Sequence, residues 1–294
     1  MMVNEPFTGG GGKRRSNLHR VIKFYEEHAK DYDKDYDEDN WRLYDDLTWH
    51  YMEPFLPAID PGVIGTRDAP VVLDAGGGTG KWSIQLAKRG FRVICTDISQ
   101  PMLDQARIKA KAEGLEDRID FRLLDARGMP ELADNSFDLV LAVGDLISYA
   151  LDDDLVVGEL FRVCKPGCHC IASVDNTFSY LILQLKSERW ELIDDLLANR
   201  VTDYSSPHPV RTFLPADLRG LFERHGFTVE QLVGKPVITN TVAKRVRRLK
   251  LEQHYKELLE LEKRFGADPA FVGHGGHLQI AARKPLEDTR HLKE

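Results

Sequence analysis

Glycines in the segment LDAGGGTGK (73–81) follow a short apolar stretch and are the strongest chemical signal of the sequence. Glycines between a strand and a helix let the backbone approach a ligand closely and take positive φ angles. A nicotinamide or flavin dinucleotide site requires the spacing G-x-G-x-x-G or G-x-G-x-x-A. Counting from Gly76, the third small residue would fall on Lys81, and the carboxylate of Asp74 would not favour a pyrophosphate. The segment therefore disfavours a dinucleotide.

Carboxylates near these glycines favour a positively charged aminoacyl nucleoside instead. Asp74 is placed to hold the ammonium group of the amino acid, either through water or through backbone that it orients. Asp97 lies about 20 positions after the first glycine, where an acidic residue in related folds accepts hydrogen bonds from ribose hydroxyls. These two positions predict S-adenosylmethionine as the cofactor, because it carries both an ammonium group and a ribose.

A second group of positions suits the adenine ring of that cofactor. Asp125 can accept a hydrogen bond from the adenine amino group, and the backbone N–H of Ala126 can bind a ring nitrogen. Ile98 and Met102 are apolar and can enclose the ring. We therefore predict that the adenine lies against these four residues.

The elements that must position these residues alternate along the chain. Apolar runs and helical spacing predict strands at 71–75, 91–97, 118–125, 136–145 and 168–175, and helices at 79–89, 101–114 and 152–163. Such alternation with short links predicts a parallel sheet covered on both faces. Ligands of these sheets bind at the carboxyl ends of the strands. Aspartates stand at or near those ends: Asp74, Asp97, Asp125, Asp145 and Asp175.

The remaining sequence predicts additions to this core. Residues 18–56 have helical spacing and many aromatic side chains, and the later sequence predicts further elements: helices at 178–200, 215–225 and 241–265, and strands at 226–234 and 277–284. We expect seven segments along the chain: a flexible tail (1–17), an N-terminal helical lid (18–60), a cofactor-binding core (61–177), a helical substrate cap (178–212), a completion of the core (213–235), a second helical insertion (236–276) and a last strand with a tail (277–294).

Composition restricts the expected partners. The net charge of −7 and the pI of about 5.8 disfavour a nucleic-acid partner. Four cysteines in 294 residues do not make the disulfide framework of a secreted domain. No apolar run approaches the roughly 20 residues of a membrane helix. We therefore expect a cytoplasmic monomer or homodimer with a small-molecule substrate and no membrane partner.

These motifs together resemble the class I methyltransferase family, in its small-molecule (UbiE-like) branch. The resemblance spans residues 20–233 and rests on five motifs: D-x-G-x-G-x-G (74–80), Asp97, Asp125-Ala126, SFDLV (136–140) and LxRVxKPG (160–167). It implies a Rossmann-like three-layer sandwich with a mostly parallel seven-stranded sheet, a reversed last strand, and helical insertions that cap the active site. One departure is Cys168, where the family usually has a second glycine after Lys-Pro-Gly.

The same resemblance implies where S-adenosylmethionine binds, over the first, second and fourth strands. The expected contacts in addition to those above are Gly76, Gly78, Thr79, Gly80, Gly144 and Tyr149. The segment FYEEHAKDYD (24–33) is similar to the family's N-terminal segment, in which an aromatic side chain closes over the methionine moiety. This role is carried to Tyr32 and to Tyr25.

Methyl transfer from a sulfonium is an in-line displacement that needs alignment and a dry site more than a catalytic side chain. An oxygen nucleophile would benefit from a base or a metal. Four histidines are candidate bases: His50, His208, His274 and His277. We expect His274, within GHGGH (273–277), or His208 to serve, with a structural role in a turn as the alternative.

Several alternatives remain open at this point. Asp145 with Asp175 and Asn176 is similar to the Mg²⁺ ligands of catechol-type O-methyltransferases, although our leading expectation has no metal. A nucleic-acid methyltransferase could use the basic cluster at 244–250, and a cofactor-binding subunit could lack catalysis. We expect a small-molecule methyltransferase because the full set of cofactor residues is present. The sequence fixes neither the substrate nor the accepting atom, which could be O, N or S.

Overall fold

A twisted sheet and a short two-stranded ribbon make up the β structure of the described residues. The computed structural model describes residues 11–36, 39–202, 208–242 and 244–286, without the side chains of 11–16, 35–36, 39–40 and 244–249. In these ranges the strands are β1 (Val71–Ala75), β2 (Arg92–Asp97), β3 (Ile119–Leu123), β4 (Phe137–Ala142), β5 (Cys164–Asp175), β6 (Val201–Thr202), β7 (Val210–Arg211), β8 (Thr228–Lys235) and β9 (His277–Arg283).

The large sheet has seven strands in the order β3-β2-β1-β4-β5-β9-β8, and β6 pairs with β7 in the ribbon. All pairs in the large sheet are parallel except the two that β9 makes with β5 and β8. β1 is buried along nearly its whole length, as expected for a strand with helices on both sides. The predicted mostly parallel seven-stranded sheet with a reversed last strand is confirmed.

Two strands end earlier than predicted, which moves two aspartates off the strand ends. β3 ends at Leu123, and Asp125 instead forms an isolated bridge with Gly128. β4 ends at Ala142, and Asp145 lies beyond it in a left-handed conformation with φ of 69°. Asparagine and aspartate tolerate this conformation better than other non-glycine residues. The chain therefore turns away from the sheet before each carboxylate.

The helices are α1 (Gly11–His28), α2 (Asp39–Met52), α3 (Lys81–Lys88), α4 (Gln100–Ala112), α5 (Leu146–Ala150), α6 (Asp153–Val163), α7 (Thr177–Lys186), α8 (Ile193–Asn199), α9 (Pro215–Arg224) and α10 (Lys244–Gly266). The expected tail at 1–17 is helical from Gly11 onwards, and residues 1–10 lie outside the described residues. The continuous helical segment expected at 18–56 is divided into α1 and α2, with a 3-10 turn at Tyr32–Tyr36.

Apolar side chains fill both faces of the sheet and make the three layers. One cluster joins the sheet to α6 and α9, with Phe137, Leu160 and Phe222 fully or almost fully buried. The other joins the opposite face to α3 and α4, with Leu86 and Leu103 fully buried. Burial of this kind is the main favourable term in folding. The predicted three-layer sandwich is therefore present.

The second helical insertion lies away from the cofactor site that sequence analysis placed at the sheet edge. α10 packs on the outside of α2, where Leu43, Leu47 and Leu251 are buried together. Buried Glu262 on α10 accepts hydrogen bonds from the backbone N–H groups of residues 237–239. The expectation that residues 236–276 cap the active site is therefore not matched by α10, which covers α2. Among the described residues, no helix is long and apolar enough to span a bilayer.

Candidate functional site

A cavity with about 680 Å³ of empty space opens at the carboxyl edge of the sheet, where the sequence placed the ligand. Residues from α1 cover it opposite the sheet. The lining residues are Leu18, Val21, Tyr25, Tyr32, Gly76, Gly78, Asp97, Ile98, Met102, Leu124, Asp125, Ala126, Arg127, Gly144, Leu146, Tyr149 and Ala150. Eleven of the fourteen predicted cofactor residues are in this lining.

The glycine turn after β1 forms the floor of the cavity. Gly76 and Gly78 have positive φ angles of 67° and 55°. A Cβ on Gly76 would come within 2.9 Å of the Leu146 side chain, and a Cβ on Gly78 within 3.3 Å of Met102. Side chains at these positions would therefore fill the cavity as well as strain the backbone.

Two further residues of the turn were predicted as cofactor contacts but serve packing and anchoring. Gly80, with φ of 79°, begins α3, and a Cβ there would lie 2.9 Å from Ala106. Thr79 is almost fully buried, and its hydroxyl donates a hydrogen bond to Asp33 Oδ1 at 2.6 Å. Neither residue is in the cavity lining.

Asp97 at the end of β2 supplies the negative charge of the cavity. One carboxylate oxygen accepts from the Gly78 N–H and the other from the Ser99 N–H, both at 2.9 Å. Burial raises the pKa of Asp97 despite these backbone hydrogen bonds. The two bonds fix the carboxylate against the glycine turn and leave further lone pairs of both oxygens for a ligand.

Asp125 and Arg127 form an ion pair at the far end of the cavity. The guanidinium of Arg127 lies 2.6 Å from Asp125 Oδ2 and also donates to Oδ1. Burial opposes ionisation of this carboxyl, but the hydrogen bonds from Arg127 outweigh it and lower the pKa of Asp125. The sequence predicted Asp125 and Ala126 as contacts but not Arg127, which lies two residues after Asp125.

Asp74 does not line the cavity, and its role at the ammonium group, through water or through backbone that it orients, stays a prediction. It is fully buried below the turn, and its Oδ2 accepts a 2.6 Å hydrogen bond from the Ser83 hydroxyl on α3. Its other oxygen has no hydrogen-bond partner. Burial raises the pKa of Asp74 to about 6. The alternation of β1 explains this placement, because Asp74 points to the α3 face.

Aromatic rings close the side of the cavity next to α1. The ring centroid of Tyr25 lies 5.9 Å from that of Tyr32 and 6.2 Å from that of Tyr149. His208 completes the group, 5.1 Å from Tyr149 and 5.9 Å from Tyr25. Burial lowers the pKa of His208, so its imidazole is neutral at pH 7. The predicted Tyr25, Tyr32, Tyr149 and His208 therefore come together.

A latch of polar contacts holds the N-terminal segment on the glycine turn. Asp33, in the 3-10 turn, accepts the Thr79 hydroxyl through Oδ1 and the Lys109 ammonium through Oδ2 at 2.7 Å. Partial burial opposes ionisation of Asp33, and the bonds from Lys109 and Thr79 lower its pKa overall. These contacts were not predicted, because Asp33, Thr79 and Lys109 are far apart in the chain.

A row of ionisable side chains lies beside the cavity under α2. Asp175, His277 and Lys235 are register partners across β5, β9 and β8. His277 Nδ1 is 3.1 Å from Asp145 Oδ2 and 4.0 Å from Asp175 Oδ1. Gly144 and Leu146, which flank Asp145 in the chain, line the cavity, so the row adjoins the cavity.

Burial and mutual charge shift the proton affinity of the whole row. Burial and the neighbouring Asp145 charge raise the pKa of Asp175. Burial favours the neutral imidazole, but the charges of Asp145 and Asp175 outweigh it and raise the pKa of His277. Burial lowers the pKa of Lys235 to about 7. The Lys235 ammonium donates to Thr48 and Gln279 and lies 4.3 Å from the centre of the Tyr44 ring.

Two other residues named from the sequence lie outside this row. His274 is exposed and its ring stacks edge-on against Phe178 at 5.2 Å, so it does not face the cavity. Asn176 donates its amide to the carbonyls of Gly273 and Gly275, and its oxygen caps α7. The amide of Asn176 is fully engaged, and the structure does not support it as a metal ligand beside the two carboxylates.

Known proteins are similar to this chain in sequence and in fold. Residues 72–167 match a family model described as a methyltransferase domain. The chain is 26% identical over 241 residues to tRNA 5-carboxymethoxyuridine methyltransferase of Escherichia coli K12, covering 81% of this chain and 87% of that protein. It is 42% identical over 97 residues to methyltransferase GfsG of Streptomyces halstedii, covering 33% of this chain and 34% of that one.

A solved structure shows the same fold at lower identity. It is a SAM-dependent methyltransferase of Thermotoga maritima, described as a possible histamine N-methyltransferase, with a TM-score of 0.55 and 17% identity over 90% of this chain and 99% of that one. The family match runs from β1 into β5 and so includes the glycine turn, Asp97 and Asp125.

Proposed function

We propose that this chain, a member of the class I S-adenosylmethionine-dependent methyltransferase family, transfers the methyl group of S-adenosylmethionine to a small-molecule nucleophile. One observation carries the proposal: the glycine turn and the carboxylates of Asp97 and Asp125 converge on a single cavity. The family match over residues 72–167 supports the same donor.

The residues of the cavity fit the parts of this cofactor. Asp97 keeps lone pairs free for the ribose hydroxyls, and Gly78 leaves room beside it. Ile98 and Met102 line the wall expected to hold the adenine, with Asp125 at its edge. Because Asp125 is already paired with Arg127, it would share its oxygens with the adenine amino group.

The protein contributes alignment and exclusion of water. The cofactor supplies an electrophilic methyl group on a positively charged sulfur. Tyr25, Tyr32 and Tyr149 surround the cavity with aromatic faces, which attract cations. The neutral His208 adds no competing positive charge beside them. Holding two reactants in line can lower the activation barrier of such a step by about 7–11 kcal/mol.

The acceptor has a second candidate class, which is RNA. The observation that favours it is the similarity over 81% of the chain to a tRNA methyltransferase. The net charge of −7 argues against it, since phosphates would be repelled. The basic cluster at 244–250 was the expected contact, and its side chains lie outside the described ones except for Lys250, which is exposed.

Calorimetry with the purified protein tests the donor. We expect S-adenosylmethionine and S-adenosylhomocysteine to bind, and NAD⁺ to give no heat, because the turn lacks the dinucleotide spacing. Uptake of NAD⁺ with no response to either sulfur ligand would overturn the proposal. Radiolabelled S-adenosylmethionine offered with pools of amines, thiols, phenols and transfer RNA then tests the acceptor. Labelling of the RNA alone, with binding that weakens steeply in salt, would favour the second class.

A further inference from the structure

Three atoms beside the cavity are buried without a hydrogen-bond partner. They are Asp145 Oδ1, Asp175 Oδ2 and His277 Nδ1. Asp145 is 6% exposed and Asp175 is 5% exposed, while the side chain of His277 is 17% exposed. Buried polar atoms are almost always satisfied, so a converging set of orphaned atoms indicates an absent partner. A hydrogen-bond donor or a metal cation would satisfy the two carboxylates.

The spacing of these residues suits a nitrogen with several N–H bonds. One ligand atom from each of Asp145, Asp175 and His277 lies within 4.8 Å of the other two. Two carboxylate oxygens that each accept from one tetrahedral nitrogen at about 2.8 Å are about 4.6 Å apart, which is within this limit, whereas His277 Nδ1 is closer, 3.1 Å from Asp145 Oδ2. The charges of Asp145 and Asp175 raise the pKa of His277, and a bound ammonium beside the same carboxylates opposes that effect. With the ammonium present, the imidazole is favoured in its neutral form and accepts through its unprotonated nitrogen.

Aromatic rings around the same residues favour a cation. The Tyr44 ring lies 4.8 Å from the His277 ring, and the Trp41 ring lies 6.4 Å from it. Tyr180 donates its hydroxyl to Asp175 Oδ1 at 3.2 Å. The face of an aromatic ring attracts an organic cation, and a neutral hydroxyl acceptor would gain nothing from that attraction. Rings beside two carboxylates form the surroundings typical of an ammonium site.

We propose that Asp145, Asp175 and His277 form the acceptor site and that the acceptor is a primary or secondary amine, bound through its N–H bonds. This proposal rests on the proposed function, since the site needs S-adenosylmethionine in the neighbouring cavity. It names the substrate class of that function, and it assigns His277 as the residue that takes the proton of the amine.

A primary ammonium bound at this site loses a proton before its nitrogen is methylated. One N–H proton passes to the free nitrogen of His277, which leaves a lone pair on the amine. That nitrogen forms a bond to the methyl carbon while the carbon–sulfur bond breaks and its electron pair stays on sulfur. The products are a methylated ammonium, neutral S-adenosylhomocysteine and a protonated His277, which returns its proton to solvent.

The affinity ratio of two cofactor analogues tests this site without knowledge of the substrate. Sinefungin carries an ammonium-bearing carbon in place of the methylsulfonium, and S-adenosylhomocysteine carries no group there. By calorimetry we expect wild type to bind sinefungin about tenfold or more tightly than S-adenosylhomocysteine, because hydrogen bonds to charged groups are strong. The ratio should fall towards one in Asp145→Asn and Asp175→Asn.

The control for these variants is Asp154→Asn, an exposed carboxylate on α6 whose loss should leave the ratio unchanged. A wild-type ratio near one, or a ratio that survives both site variants, overturns the proposal. Loss of binding to S-adenosylhomocysteine itself would instead overturn the proposed function, so the two failures are distinguishable.

Labelling of defined acceptor compounds is a second test of the amine site. Amines such as benzylamine, ethanolamine and putrescine should be methylated in preference to the matched alcohols, and His277→Gln should lower kcat more than KM. Methylation of alcohols alone, or Mn²⁺ binding that depends on Asp145 and Asp175 and is needed for turnover, contradicts an amine site. If no compound is labelled, the affinity ratio decides.

Discussion

Asp97 offers the sharpest test of the cofactor site. Its two oxygens each accept one backbone N–H, from Gly78 and from Ser99, and the carboxylate lines the cavity. Hydrogen bonds to a charged group contribute about 1.5–3 kcal/mol each, so losing both proposed ribose bonds costs about 3–6 kcal/mol. Asp97→Ala should therefore weaken S-adenosylmethionine binding by about 100-fold or more.

Asp97→Asn should weaken S-adenosylmethionine binding less than Asp97→Ala does. Asparagine has a single carbonyl oxygen, so it cannot accept from Gly78 and Ser99 at opposite ends as the carboxylate does. We expect a loss of about 10- to 100-fold in affinity, measured by calorimetry, with Asp104→Asn on the exposed face of α4 as the matched control. Binding of the Asp97→Asn protein within twofold of wild type would refute the assignment of the ribose to this carboxylate.

Three further predictions concern the latch, the buried turn and the insertion. A double-mutant cycle with Asp33→Ala and Thr79→Val should show a coupling of about 1 kcal/mol in the free energy of S-adenosylmethionine binding, since their 2.6 Å hydrogen bond holds the N-terminal segment on the glycine turn; additive losses would separate the latch from binding. The pKa of Asp74 is raised from 3.8 to about 6, so its stabilising effect is present below pH 4 and is lost as pH rises through about 6. Asp74→Asn should therefore gain up to about 3 kcal/mol of stability over wild type between pH 4 and pH 7.5 in urea unfolding, and an unchanged difference would contradict burial as the cause. Glu262→Ala leaves the backbone N–H groups of 237–239 without their acceptor and should lower the unfolding free energy by at least about 3 kcal/mol, with a smaller loss in Glu262→Gln; a loss below 1 kcal/mol would mean that water replaces the carboxylate.

The core of the fold follows from patterns that act over short distances. Buried strands such as 71–75 are visible as apolar runs bounded by glycine, and the helix after the turn ends at Lys88, shortly before the predicted stop at Gly90. The additions are less visible, because their position depends on packing between distant segments. No local pattern in residues 244–266 indicates that this helix packs on α2 and not over the cavity.

The residues that line the proposed cofactor cavity were predictable, and those of the proposed acceptor site were not. The glycine turn, Asp97 and Asp125 lie within one short stretch whose spacing carries the chemistry. Asp74 shares that stretch, yet strand alternation turns it to the buried face, which only the register of β1 determines.

The histidine segment shows why register matters. In GHGGH the sequence favoured His274 as the base, but β9 begins at His277 and pairs it directly with Asp175. His274 precedes the strand and is exposed. The strand that neighbours β9 cannot be known from one sequence, because pairing partners are set by the whole sheet. The signal that could have found His277 is its position as the first residue of a predicted strand at 277–284.

The reversed strand β9 comes from a later part of the chain than the residues that line the cavity. The cavity proposed for the donor is lined by residues between Leu18 and Ala150, whereas the row beside it is completed by Lys235 on β8 and His277 on β9. Substitutions at Lys235 or His277 should thus change the proposed choice of acceptor and leave the lining of the cavity intact. The family match ends at residue 167, so Lys235 and His277 lie outside it while Asp145 lies inside it.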